Sequence, residues 1–272
     1  MAFRKQPVLE SVASPTVEVD APLDSSSAPE LEGLPTAQEP EAMEGEGRFF
    51  PRLAFYADHL LRNREELYDR ISDRRSIGAL CLVMVTMAVL GAGSYGFTMG
   101  AFGGVKQALA SAVKAPLLLA LPLTIAIPAL YAFNTLLGSG TRLSQIAAVA
   151  CMAQATTAIL LVALAPLSIF FLFTGVSYSF LKVLHVTLFF VAGYFGAFVL
   201  YVGLQTVSGR MGKVQNLPLL QIWLCLYAYI GAQMSWILRP FLGDPHRPFA
   251  LFRSIESSFF KGLADALTTL FK

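Results

Sequence analysis

His185 is the only histidine near a long apolar run, and Ser139 stands between Gly138 and Gly140. Brought together, a serine and a histidine would make a nucleophile and its base, the pair a hydrolase needs. Nothing in their spacing joins them. A lone histidine near a helix end is more often a hydrogen-bonded structural residue. Gly138-Ser139-Gly140 reads more simply as a turn in which glycine supplies unusual dihedrals. Ser177 or Ser179 with Lys182 is a second nucleophile–base pair and is no better placed. Aspartyl proteolysis inside a membrane needs two carboxylates within spans, and carboxylate-based proton or sodium coupling needs them too. From Ser76 to Arg239 the chain has no Asp and no Glu. It also has no HExxH, no P-loop and no GxGxxG after a strand. Cys81, Cys151 and Cys225 lie in apolar runs, where cysteine acts as a small hydrophobe rather than as a disulfide or zinc ligand. Asp244, Glu256 and Asp265 follow the runs as ordinary surface carboxylates. No catalytic, cofactor-binding or metal-ligating residue is assigned, no cofactor is expected, and the chain does not read as an enzyme.

The elements that must position any site are apolar. Of 272 residues, 55% are hydrophobic and 14% charged, against about 25% charged in ordinary soluble domains. A hydrocarbon slab excludes carboxylates over the length seen here, and a soluble core need not. The expected fold is all-α: a polytopic transmembrane bundle of about five spans within residues 76–239, with amphipathic helices flanking it.

In chain order, residues 1–47 carry ten carboxylates against Arg4 and Lys5 and are rich in Pro, Glu, Ser and Ala. They bury too little apolar surface to offset the entropy of ordering, so disorder is expected. The tail is either simply solvated or an acidic tether for a protein partner. No apolar h-region follows Met1, so the run near residue 77 is expected to direct insertion. Residues 48–75 hold seven arginines, and Leu53, Tyr56, Leu60, Leu67 and Ile71 recur at helical spacing. Such a helix suits an anionic leaflet or packs on the protein's own loops.

The spans are expected at about 77–99, 115–137, 144–174, 183–206 and 217–238. Gly91, Gly93 and Gly96 are expected to loosen the end of the first. Residues 100–114, with Lys106 and Lys114, read as an external loop or short interfacial helix. Pro122 and Pro128 are candidate kinks in the second span and Pro166 in the third, since proline removes a helical bond and clashes with the preceding turn. In the fourth, Ala192, Gly193, Gly196 and Ala197 form two small pairs at four-residue spacing, the pattern that lets backbones approach. Trp223 and Trp236 lie toward the two ends of the fifth, where indoles favour the interface. Mid-span polar groups are uncharged: Asn134, Gln154, Thr156, Thr157, Gln233 and Ser235. They are expected to bond between helices, with a permeation path as the rarer alternative. Residues 240–272 give a Pro-rich segment and a helix whose apolar face is Phe252, Ile255, Phe259, Leu263, Leu267 and Leu270. It is expected on the membrane surface or capping the bundle. Loop charges favour a cytoplasmic N-terminus, and the basic C-terminal tail opposes it. If one run is re-entrant, both termini lie inside.

Over residues 115–205 the chain resembles the Yip1-domain membrane proteins. The resemblance rests on Tyr131-Ala132-Phe133-Asn134-Thr135-Leu136-Leu137-Gly138, the Gly-Ser-Gly turn, and Leu143-Ser144-Gln145 opening a long span with Pro166. It implies a five-span bundle without catalytic residues, associated in eukaryotes with vesicle trafficking and small GTPases. No functional residue is carried over from it. The function expected is that of a cell-membrane protein that organises or scaffolds. Its partners are the lipid bilayer and a second copy or a protein bound through the N-terminal tail, not nucleic acid. The alternative is a transporter or channel for a neutral or lipidic solute; an enzyme acting on lipid comes third.

Overall fold

The computed structural model describes residues 49–136, 140–212, 217–243, 250–252 and 259–270. The acidic stretch 1–47, Ser139 and Ile255 lie outside the described residues. Every described element is helical. Two short helices come first, α1 (Phe49–Arg62) and α2 (Arg64–Ser72). The long helices follow: α3 (Ile77–Gly100), α4 (Val105–Leu136), α5 (Leu143–Phe173), α6 (Tyr178–Arg210) and α7 (Leu217–Ile237). The last element is α8 (Phe259–Leu270).

Among the described residues, four helices, α3 to α6, are long and apolar enough to cross a membrane. Helix α7 is shorter, at 21 residues. The bundle wears its apolar side chains outward: Phe190 is 72% exposed and Leu82 69%. So much exposed apolar surface suits lipid and not water. These features mark a membrane protein.

Helix α5 is the hub, packed on α3 and α6, while α4 packs on α3 and α7. Helix α4 differs from its expected extent. A single 3-10 turn, Ala101–Gly103, closes the α3–α4 connection, and α4 starts at Val105, so residues 105–114 are the first turns of the long helix and neither an external loop nor a separate short helix. The glycines at the end of α3 explain this. A Cβ on Gly100 would lie 2.6 Å from the Gln107 carbonyl and 2.8 Å from Ala108 Cα. Gly96 meets the backbone at Ser111 in the same way. These glycines seat α4 against α3 instead of loosening α3. Helix α4 then runs through Pro116, Pro122 and Pro128, and α5 through Pro166.

Helices α1 and α2 lie against the start of α3 and against α5 and α6. Their expected apolar stripe, including Tyr56, Leu60, Leu67 and Ile71, is buried in the main core. The bundle uses this stripe for its own packing. At the other end of the chain, α8 packs on α6 and α7. Gly262 meets the Trp236 ring, Phe260 stacks on Tyr229, and Ala266 is buried. The helix is shorter than its expected face: Phe252 sits in a bend before it, half exposed.

Candidate functional site

Among the described residues, four clusters of polar side chains each join segments distant in sequence. The first involves His185, on α6. Its Nδ1 lies 2.7 Å from Tyr95 Oη of α3, and its Nε2 lies 3.5 Å from Ser168 Oγ of α5. Serine, histidine and an orienting hydroxyl is the arrangement of a nucleophile, its base and a third group. The serine is Ser168, which sequence reasoning did not pair with His185. The cluster is sealed: Tyr95, Ser168 and His185 are all buried, among Met99, Leu161, Leu181 and Leu188. Water and substrate do not reach Oγ, so the geometry serves to tie α3, α5 and α6 together. Ser177, one of the three serines considered as a nucleophile, caps α6 by accepting from the Phe180 N–H at 3.3 Å.

The second cluster is a stripe on α4, Gln107, Ser111 and Lys114, at four- and three-residue spacing. It receives the chain just after α7. Gln107 Nε2 donates to the carbonyls of Pro240 at 2.8 Å and Phe241 at 3.0 Å, and Ser111 Oγ donates to the Phe241 carbonyl. Lys114 Nζ donates to Pro240 at 3.1 Å and to the carbonyl of Leu251, and lies 4.9 Å from the Phe252 ring centre. The expectation for Lys114 is an external loop or a short interfacial helix; here it is 3% exposed and held by carbonyls and a ring face.

The third cluster lies between α4, α5 and α7. Gln154 Nε2 donates to the Leu119 carbonyl at 2.9 Å and to Tyr227 Oη at 2.8 Å. Trp223 Nε1 donates to the Ala126 carbonyl at 3.2 Å. Both acceptor carbonyls belong to α4, within one turn of Pro122 and Pro128. Neighbouring helices thus supply donors to the proline-containing helix. Trp223 is therefore buried on α4 rather than at the interface, because its N–H finds a carbonyl there. Beside Gln154 lies a small cavity of about 80 Å³, bordered by Leu119, Thr157, Gly193, Ala197 and Tyr227.

The two small-residue pairs of α6 differ in what they meet. Ala192 and Gly196 are buried, and Gly196 packs on the Ala153 carbonyl and Thr157 of α5. A Cβ added at Gly193 would meet nothing within 4 Å. Of the two pairs, Ala192–Gly196 makes the helix contact, while Gly193, Gly196 and Ala197 all border the cavity.

The fourth cluster fastens α2 to the ends of α5 and α6. Gln145 sits at the start of α5. Its Oε1 accepts from the Arg142 N–H at 3.0 Å, and its Nε2 donates to the Ile71 carbonyl at 3.1 Å. One side chain thereby caps the start of α5 and the end of α2. Arg210 pairs with Glu65 at 3.0 Å and Asp69 at 2.9 Å. Tyr68 lies against Gly203 of α6 and donates to the Val199 carbonyl at 3.3 Å. Burial pushes its phenol up to about 12, so it stays a neutral donor. No protein-family model, curated protein or solved structure matches this chain.

Proposed function

We propose that this chain is a five-span integral membrane protein of Yip1-like type that organises or scaffolds its membrane and performs no catalysis. In this reading α7 is the fifth span, residues 1–47 face the cytoplasm as a partner tether, and the protein sits in the cell membrane. One observation carries it: Gln107, Lys114, Gln154, Tyr95 and His185 all spend their polar groups on other parts of the chain. A permeation path needs polar groups turned to a lumen, and a catalyst needs them turned to a substrate. Groups committed to helix–helix bonds serve a rigid platform instead.

The test is affinity purification of the full chain and of a chain lacking residues 1–47. Specific co-purifying membrane partners are expected with the full chain and lost with the truncation. The cavity beside Gln154 favours a second reading, transport of a small neutral or lipidic solute. Solute flux in proteoliposomes that Gln154→Leu removes would replace the scaffold with a transporter.

Topology has its own measurement. Cysteines placed at Ser25 and Thr269 are expected to react from opposite sides of sealed vesicles. Reaction of both from one side would leave α7 short of crossing, or make one long helix re-entrant.

A further inference from the structure

At the elbow where α1 meets α2 there is an open hollow of about 550 Å³. Its polar wall comes from Arg62, Asn63, Arg64, Glu65 and Glu66, and its apolar wall from Phe198 and Val202 of α6. Most charges of the polar wall are neutralised by the protein. Arg62 holds Asp58 at 3.1 Å. Glu65 holds Arg210 at 3.0 Å, and Glu66 holds Arg70 at 2.9 Å and His59 at 3.2 Å. Arg64 has no ion-pair partner among the described residues, although it is half-buried. Asn63 beside it makes no capping bond with its side chain. The hollow therefore keeps one uncompensated guanidinium.

Directly beside this charge the wall becomes apolar. Phe198 is 48% exposed, and Phe195 and Phe190 are further large apolar side chains that α6 leaves exposed. Such a side of a membrane-length helix meets lipid. The hollow thus offers a single positive charge at the edge of a hydrocarbon-facing surface. An amphiphile with one anionic oxygen group at its polar end and an acyl chain below matches both walls.

We propose that this hollow binds a glycerophospholipid, with its phosphodiester on Arg64 and an acyl chain along Phe198 and Val202. Guanidinium is the side chain suited to phosphate, through paired N–H donors. With only one uncompensated cation in the hollow, a headgroup with several phosphates is disfavoured relative to a monoanionic diester. The inference rests on the reading of α6 as a lipid-facing span. Sodium carbonate extraction tests that separately: release of the protein from membranes would overturn the membrane reading itself.

The site is tested on the full chain, purified in detergent and stripped of lipid, with dioctanoyl phosphatidylglycerol as probe and thermal stability and native mass spectrometry as readouts. Saturable stabilisation by the probe is expected. Arg64→Gln should weaken it about tenfold, the scale of one charged hydrogen bond. Arg75→Gln removes the same charge outside the hollow and should leave affinity unchanged. Dioctanoylglycerol, which lacks the phosphate, and inorganic phosphate, which lacks the chains, should each fail to reproduce the shift. Equal affinity in Arg64→Gln would overturn the site. An equal shift with phosphate alone would make it a free-anion site, and one with dioctanoylglycerol a nonspecific apolar surface; either overturns the proposal. A photoreactive phosphatidylglycerol on the unmodified protein needs no variant to fold. It is expected to label the α6 segment around Phe198, and labelling confined to other helices would overturn the assignment.

Discussion

Gly196→Leu is expected to collapse the thermal stability of the detergent-purified protein, while Gly193→Leu, three residues away, leaves it nearly unchanged. The contrast comes from what each new side chain meets. At Gly196 a Cβ alone would sit 2.9 Å from the Ala153 carbonyl and closer still to Thr157 Oγ1. Thr157 has little freedom to retreat, since its hydroxyl donates to the same Ala153 carbonyl at 3.0 Å. The α5 and α6 backbones must then separate, which costs about 3 kcal/mol at the upper end of overpacking effects. The damage should spread, because α5 also holds α3. Gly193 borders the small cavity, with open space where its Cβ would go. Equal melting temperatures for the two variants would mean that α5 and α6 do not pack through Gly196.

Tyr68→Ala is expected to detach α1 and α2 from the bundle. The ring is 1% exposed and fills the notch left by Gly203. A Cβ there would stand 2.8 Å from Tyr68 Cε1 and 2.6 Å from Val149 Cγ1. Emptying such a site costs about 3 to 5 kcal/mol for an aromatic ring. Tyr68→Phe keeps the ring and loses the bond to Val199, for about 1 kcal/mol. The readout is tryptic cleavage at Arg74 and Arg75, just beyond α2. Cleavage should accelerate strongly in Tyr68→Ala and only slightly in Tyr68→Phe. If the two variants are cut at the same rate, the ring does not hold α2 down. Gly203→Val should behave like Tyr68→Ala, because it fills the notch from the other side.

Much of the helix map is legible without a structure, and the places where it fails share one cause. The carboxylate-free, apolar stretch from Ser76 to Arg239 specifies long helices, since backbone groups in hydrocarbon must bond within their own segment. The bounds of α3 and α5 follow from where that apolar pattern starts and stops. Helix α4 was misjudged because Lys106, Gln107, Ser111 and Lys114 look like water-facing residues in a linear reading. Three of them face the chain after α7, a contact separated by more than a hundred residues. Trp223 was misjudged in the same way: its indole is satisfied by α4 and needs no interface.

The sequence alone therefore determined class and composition. The chain is helical and membrane-suited, and it carries no carboxylate chemistry in its long helices. These follow from transfer energies and backbone hydrogen bonding, which act residue by residue. Only the tertiary structure decided partnership. It chose Ala192 and Gly196 over Gly193 for the helix contact, and it set Ser168 beside His185. It also turned the stripe of α1 and α2 toward the bundle and left Arg64 open beside Phe198. Two small residues at helical spacing, or two arginines in one basic helix, are equivalent to a one-dimensional reading. They differ only in which neighbour packing brings within a few ångströms, and that neighbour comes from a distant part of the chain.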